Sequence, residues 1–260
     1  MNLIYGTAWK EDATEASVAA ALAAGFRAVD TANQRKHYFE AGVGAAIAKS
    51  GLPRDQLWLQ TKFTFRDGQD HRLPYDPRAP IADQVAQSFA SSLEHLGVAS
   101  LDSYVLHGPS QGVGLGEDDR EAWRAMEDLC RAGKVAQIGI SNVSAAQVAE
   151  LVKLARVAPA YVQNRCYATR GWDREVRAVC AANAITYQGF SLLTANRHVL
   201  ADPAVAALAA RHGKTPAQVV FRFAKQLGML PLTGTRDPRH MREDLAIDFE
   251  LAPDELALLE

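Results

Sequence analysis

Short apolar runs alternate with stretches of helical period from one end of the chain to the other. Eight runs bounded by turn residues read as strands: 3–7, 26–30, 57–62, 101–107, 135–141, 160–164, 185–190 and 229–233. Between them lie segments rich in Ala, Leu, Glu and Arg, clearest as helices over 13–24, 81–96, 119–132 and 145–155. Thr14 and Ser144 are placed to cap two of these, because a side-chain oxygen satisfies the free N–H groups of a first turn. Gly25, Gly51, Gly97, Gly133 and Gly228 follow helices, where a left-handed closing residue costs least as glycine. Helix rather than hairpin separates each strand from the next, so the strands are expected to run parallel with right-handed crossovers.

Eight such units predict a closed α/β barrel, the (β/α)8 TIM fold, as one domain over residues 1–260. No Pro/Ser-rich linker or fixed-period repeat divides the chain. Two connections, 63–80 and 108–118, are longer than a barrel needs, and both follow strands onto the C-terminal face.

Composition narrows the picture little further. Hydrophobic residues make up 48% and charged residues 22%, enough to bury a core without disulfides or metals. A formal net charge of −2 gives no reason to expect nucleic acid or an acidic membrane as partner. Cys130, Cys166 and Cys180 share no metal-ligand spacing and are expected as buried reduced thiols. The first residues show no basic-then-apolar leader, and no apolar stretch reaches membrane-spanning length, so a cytoplasmic location is expected. The oligomeric state is not legible.

Ionisable residues at strand C-termini carry the candidate chemistry. Asp30 ends the second predicted strand, Lys62 the third and His107 the fourth. Adjacent barrel strands bring these ends to one mouth. There Asp30 could hold Lys62, and Lys62 near a tyrosine would lower the phenol's pKa and make it a usable proton donor. Tyr38, in the loop after Asp30, is the natural candidate.

At these residues the sequence resembles the aldo-keto reductases. Phe26-Arg27-Ala28-Val29-Asp30-Thr31-Ala32, followed by Tyr38 and Val43-Gly44, is similar to the family's first signature. Thr61-Lys62 and Leu106-His107-Gly108-Pro109 resemble the places of its lysine and histidine. The likeness continues through Gly133-Lys134-Val135, Ile138-Gly139-Ile140-Ser141-Asn142, Gln163-Asn164, Phe190-Ser191 and Leu232-Thr233-Gly234-Thr235.

The resemblance implies a nicotinamide-dependent reductase of aldehydes or ketones, with Tyr38 as general acid, Lys62 and Asp30 tuning it and His107 orienting the substrate. It implies a carboxamide site of Ser141, Asn142 and Gln163, with Phe190 stacked where relatives carry a tyrosine. Gly6, Thr7, Asp30, Ser191, Leu193, Gly234, Thr235, Arg236, His240, Glu243 and Asp244 complete the implied cofactor set. NADPH is the favoured cofactor and NADH the alternative. Trp9, Phe63 and Trp172, with Tyr38 and His107, are the expected substrate contacts.

Three departures stand out. Arg35 sits where the family's usual spacing from the aspartate places the tyrosine, and counting back from Val43 lands on His37. Gly234 and His240 take the places of the basic pair around the 2′-phosphate, leaving Arg236 and Arg239 as the expected phosphate grip. No N-terminal hairpin or extended C-terminal loop is present, which implies an open substrate site.

Other chemistries find less support. The run 111–116 lacks the spacing of a phosphate-binding loop. His71, His95, His198 and His212 make no metal-ligand pattern, so no metal is expected, and no G-x-S-x-G elbow is present. The alternative kept open, on the altered tyrosine loop, is a cofactor-binding redox sensor with little turnover.

Overall fold

The computed structural model describes residues 2–260. Eight strands pair in parallel in chain order, and β8 closes onto β1. They are β1 Ile4–Gly6, β2 Ala28–Asp30, β3 Trp58–Phe63, β4 Leu101–Leu106, β5 Val135–Ser141, β6 Tyr161–Arg165, β7 Thr186–Phe190 and β8 Leu230–Thr233. The helices between and after them are α1 Thr14–Ala24, α2 Glu40–Ser50, α3 Ile81–Leu96, α4 Glu117–Arg131, α5 Ala145–Leu154 and α6 Arg174–Ala182. Then come α7 Arg197–Leu200, α8 Pro203–His212, α9 Pro216–Gln226, α10 Pro238–Leu245 and α11 Pro253–Ala257. This is the (β/α)8 TIM barrel that the alternating pattern predicts. Among the described residues no helix is long and apolar enough to cross a membrane.

Local signals act as expected where their geometry is self-contained. Ser144 caps α5 by accepting from Gln147 N at 3.3 Å, and Gln147 Oε1 accepts from Ser144 N at 2.9 Å in return. All five marked glycines have positive φ, from +66° at Gly51 to +113° at Gly25. Thr14 differs. It is the first residue of α1 rather than its cap, and its hydroxyl donates to the Glu11 carbonyl at 2.7 Å, continuing a 3₁₀ turn over Glu11–Ala13. Helix α4 begins earlier than the apolar period indicates, because Asp119 accepts from Gly116 N at 2.7 Å and from Ser110 N at 2.6 Å. Cys166 and Cys180 are buried, and burial pushes both thiols up to about 12, whereas Cys130 is half-exposed on α4.

The main apolar core fills the shell between barrel and helices, and a smaller cluster of Ile4, Ala28, Leu230 and Leu232 lies apart from it. A polar layer crosses the barrel. Gln60 Nε2 donates to Asp30 Oδ1 at 2.7 Å and to Gln188 Oε1 at 2.8 Å. Gln163 Nε2 donates to the same two acceptors at 3.1 and 2.9 Å, and Ser103 Oγ donates to Gln60 Oε1 at 2.8 Å. Each of these groups left unpaired would cost about 1–3 kcal/mol, so the layer fixes the strand ends above it in one arrangement.

The loop carrying Tyr38 is held from behind by α2, which packs closely on α3. A Cβ on Gly44 would stand on the backbone carbonyl of His95. Gly44→Ala is expected to destabilise the protein by about 2–3 kcal/mol, because two backbones must part. An unchanged urea midpoint would show that the helices yield at this crossing.

Candidate active site

The C-terminal strand ends bring Asp30, Lys62 and His107 together, and the loop before α2 adds Tyr38. Lys62 is fully buried and donates to both Asp30 carboxylate oxygens at 2.7 Å and to the Thr31 carbonyl at 2.8 Å. All three ammonium hydrogens are therefore committed. Burial pulls Lys62 below its ordinary pKa, and the Asp30 charge opposes this.

The Lys62 ammonium lies 5.2 Å from the Tyr38 ring centroid. The expectation that Lys62 lowers the Tyr38 pKa does not hold in this state. Burial, and next the Asp30 charge, raise the phenol above its ordinary value. Tyr38 and His107 meet edge-on, with centroids 5.8 Å apart at 70°. Burial first, then the charges of Lys62 and His37, bring His107 down to about 3, so its imidazole is neutral at physiological pH. Its Nδ1 lies 2.7 Å from Thr64 Oγ1. Of the other residues near the family's tyrosine spacing, Arg35 turns to Glu11 at 3.5 Å and His37 stacks with Trp9 at 3.8 Å.

A cavity of about 750 Å³ opens from this mouth. Gly6, Trp9, Asp30, Tyr38, His107, Ser141, Asn142, Gln163, Phe190, Ser191 and Leu193 line it, as do Gly234, Thr235, Arg236, His240, Glu243 and Asp244. Residues from both halves of the chain meet there because β8 pairs with β1. Near the mouth, Gln163 spends its amide hydrogens on Asp30 and Gln188, which leaves Oε1 without a partner among the described residues. Asn142 Nδ2 donates to the His107 carbonyl at 2.8 Å, and Ser141 Oγ donates to the Gln163 carbonyl at 2.5 Å. Arg165 covers one face of Phe190 at 5.8 Å. Trp9, Asn142 and Ser191 hold φ of +61°, +55° and +56°, a conformation rare outside glycine that clusters at functional sites.

Another side chain on the cavity wall is Lys10, which the sequence reading missed. It is 3% exposed and its Nζ donates to the Gly234 carbonyl at 2.7 Å, with no carboxylate within 4 Å among the described residues. Burial, then Arg236, lower it to about 8. Lys10 lies in the loop beyond the end of β1, so the strand-end argument that singled out Asp30 and Lys62 does not reach it. Arg236 also faces the cavity and donates to the Trp9 carbonyl at 2.7 Å. Arg239 does not line it. Its guanidinium turns to Glu243 at 3.8 Å and His240 at 3.2 Å, so Lys10 takes its expected place beside Arg236. Asp244 accepts from Thr233 Oγ1 at 2.7 Å, and burial raises it to about 6.

Three expected contacts lie elsewhere. Thr7 is buried behind the mouth, its hydroxyl donating to the Asp30 carbonyl at 3.0 Å. Phe63 packs outward, into the shell between barrel and helices, against Phe65 and Tyr75 at 5.2 and 5.6 Å, because alternation along β3 sends it opposite to Lys62. Trp172 is 1% exposed, packs on Phe223 and donates to the Leu259 carbonyl at 2.7 Å. Neither Phe63 nor Trp172 reaches the mouth.

A second cavity of about 630 Å³ lies between the two long connections and shares His107 and Asn142 with the first. Its walls are mostly polar and include Gln34, Thr64, Arg66, Asp67, Gln84 and Ser110.

The parallel barrel thus carries a buried Lys–Asp pair, a tyrosine and a histidine at one mouth, beside a cavity lined by residues from both ends of the chain. A family model described as the Aldo/keto reductase family matches residues 2–260, and the chain belongs to that family. An aldo-keto reductase of Mycolicibacterium vanbaalenii is 34% identical over 248 residues, covering 95% of this chain and 82% of the relative. One from Mycobacterium tuberculosis is 33% identical over 250 residues, with shares of 96% and 82%. Among solved structures, an aldo/keto reductase from Brucella melitensis superposes with a TM-score of 0.85 at 29% identity, covering 100% of this chain and 93% of that one. An aldo-keto reductase from a deep-sea metagenome library, at 24% identity, shares the fold with a TM-score of 0.86 over 100% of this chain and 90% of its own.

Proposed function

We propose that this oxidoreductase reduces an aldehyde or ketone to the alcohol with NADPH, NADH being the alternative donor. The observation that carries the reading is one continuous cavity joining the Tyr38–His107 mouth to the buried cation Lys10 beside Arg236. Its furnishings fit the cofactor end to end. Lys10 and Arg236 suit phosphate, the free face of Phe190 suits a planar ring, and Gln163 Oε1 suits a carboxamide N–H. Ser141 and Asn142 complete the amide end.

When bound, the nicotinamide supplies a hydride to the carbonyl carbon. Tyr38 gives its phenolic proton to the carbonyl oxygen as negative charge develops there. The raised phenol pKa keeps that proton in place before reaction, and the Lys62 ammonium, fixed by Asp30, lies 5.2 Å from the Tyr38 ring to offset the charge left behind. His107, being neutral, has a single ring N–H, which donates to the same oxygen when it is carried on Nε2. Trp9 borders the entrance, and the polar second cavity receives the rest of the substrate, which favours polar carbonyls over long alkyl ones. One observation favours the slow-turnover sensor: every Lys62 hydrogen is spent on Asp30 and Thr31, none on Tyr38.

Tryptophan fluorescence titrated with NADPH and NADH, followed by turnover on a panel of carbonyls, tests the proposal. Saturable binding with turnover supports it, binding without turnover favours the sensor, and no binding of either cofactor removes both. Lys10→Met is expected to weaken NADPH binding roughly ten- to hundredfold, the loss of a charge-assisted contact. The pH dependence follows from the sign of the shift. Phosphate favours the protonated lysine, which in the free protein titrates at about 8. Affinity should therefore be flat between about pH 6, where the phosphate itself begins to protonate, and about 8, and fall as pH rises further, and that fall should vanish in Lys10→Met. An unaltered pH profile in the variant would place the phosphate elsewhere.

A further inference from the structure

The geometry points to Thr64 as a positioning residue, whose hydroxyl fixes the His107 tautomer with its proton on Nε2, the nitrogen left to meet the substrate. This rests on the role given to His107 above.

Thr64 Oγ1 lies 2.7 Å from His107 Nδ1 and has no other hydrogen-bond partner among the described residues. Two proton arrangements satisfy that distance. With the proton on Nδ1, the ring donates to Oγ1, the hydroxyl hydrogen has no acceptor, and Nε2 can only accept. With the proton on Nε2, the hydroxyl donates to Nδ1, and the one donor left over, Nε2–H, sits on the half-buried ring that lines both cavities. Burial makes the difference matter, because Thr64 is only 7% exposed and an idle hydroxyl hydrogen there is costly. His107 is neutral at physiological pH, so it carries one ring proton and the choice is exclusive.

The rest of the environment holds the two groups in this register. The Thr64 carbonyl accepts from Tyr75 Oη at 2.8 Å and from Gln69 Nε2 at 3.3 Å. The His107 amide donates to the Phe63 carbonyl at 2.8 Å, and its own carbonyl accepts from Asn142 Nδ2 at 2.8 Å. Gly68 completes the seat, because a Cβ there would lie 2.6 Å from Thr64 Cγ2. Threonine is branched at Cβ, so a methyl displaced by that contact swings Oγ1 away from the ring with it. The ring partner thus comes from the residue two past Lys62, on the same strand end, which ties the proton donor's lysine and the orienting histidine to one backbone segment.

The test is a two-bond proton–nitrogen correlation spectrum of ¹⁵N-histidine-labelled protein, with Thr64→Val, Thr64→Ser and Gly68→Ala alongside. The wild type and Thr64→Ser are expected to show His107 protonated on Nε2. Thr64→Val and Gly68→Ala are expected to show a mixture or the other tautomer, with kcat lowered roughly tenfold and NADPH affinity unchanged. Protonation on Nδ1 in the wild type overturns the proposal, as does an unchanged tautomer in Thr64→Val. The wild-type spectrum decides even where a variant fails to fold. Failure of the reductase reading is distinguishable: the Nε2 tautomer would persist and depend on Thr64 while no form of the protein reduced a carbonyl.

Discussion

Tyr38→Phe is expected to lower carbonyl reduction by roughly two to four orders of magnitude, the value of a positioned general acid, while leaving NADPH binding within about twofold. The change removes one oxygen and keeps the ring that packs edge-on to His107. Burial holds the wild-type phenol above its ordinary pKa, so no loss of acid form is expected across physiological pH, and the rate should show no Tyr38-linked fall there. Steady-state kinetics with a saturating cofactor, paired with a fluorescence titration, separates the two effects. Unchanged kcat would sink Tyr38 as the acid and send the search to His37, which stacks with Trp9 beside the entrance. Equal loss of kcat and cofactor binding would mean that the hydroxyl builds the cleft rather than serving the reaction.

Lys62→Met is expected to cost about 3–5 kcal/mol of stability in addition to activity. The reason is the carboxylate left behind. Asp30 has a side chain only 4% exposed, and without the ammonium it keeps only the Gln60 and Gln163 amides as donors. Folded domains have margins of roughly 5–15 kcal/mol, so the single change spends a large share of what is available. Pairing it with Asp30→Asn removes the charge and should recover part of the loss, since breaking a buried pair costs more than replacing it. Denaturant titration of the wild type, the single variant and the pair checks the sign. A double variant less stable than Lys62→Met would mean that the polar layer depends on the Asp30 charge itself.

The barrel was readable along the chain because every βα unit announces itself locally. Alternating apolar runs, five glycines at helix ends and the Ser144–Gln147 capping box all act within a few residues of themselves. Thr14 shows the limit of that logic. A hydroxyl at a helix start has two local partners, and the preceding 3₁₀ turn, set by Glu11 at φ +46°, decided for the Glu11 carbonyl. The placement of Asp30, Lys62 and His107 at one mouth was equally accessible, since a closed parallel barrel puts consecutive strand ends side by side.

What chain order alone determined was therefore the sequence of elements, their parallel closure and the strand ends that carry ionisable groups. Tertiary structure decided which side chains look into the cleft. Phe63 and Lys62 are neighbours on β3 but face opposite sides, and Trp172 is drawn under the Leu259 carbonyl. Lys10 and Gly234 are 224 residues apart in the chain and meet only because β8 closes on β1. Tertiary structure also decided the protonation pattern. Lys62 gives its hydrogens to Asp30 and Thr31, and burial raises Tyr38 where a bare lysine–tyrosine pair would lower it. Periodicity is a property of neighbours in sequence, whereas burial, pairing and pKa are sums over neighbours in space.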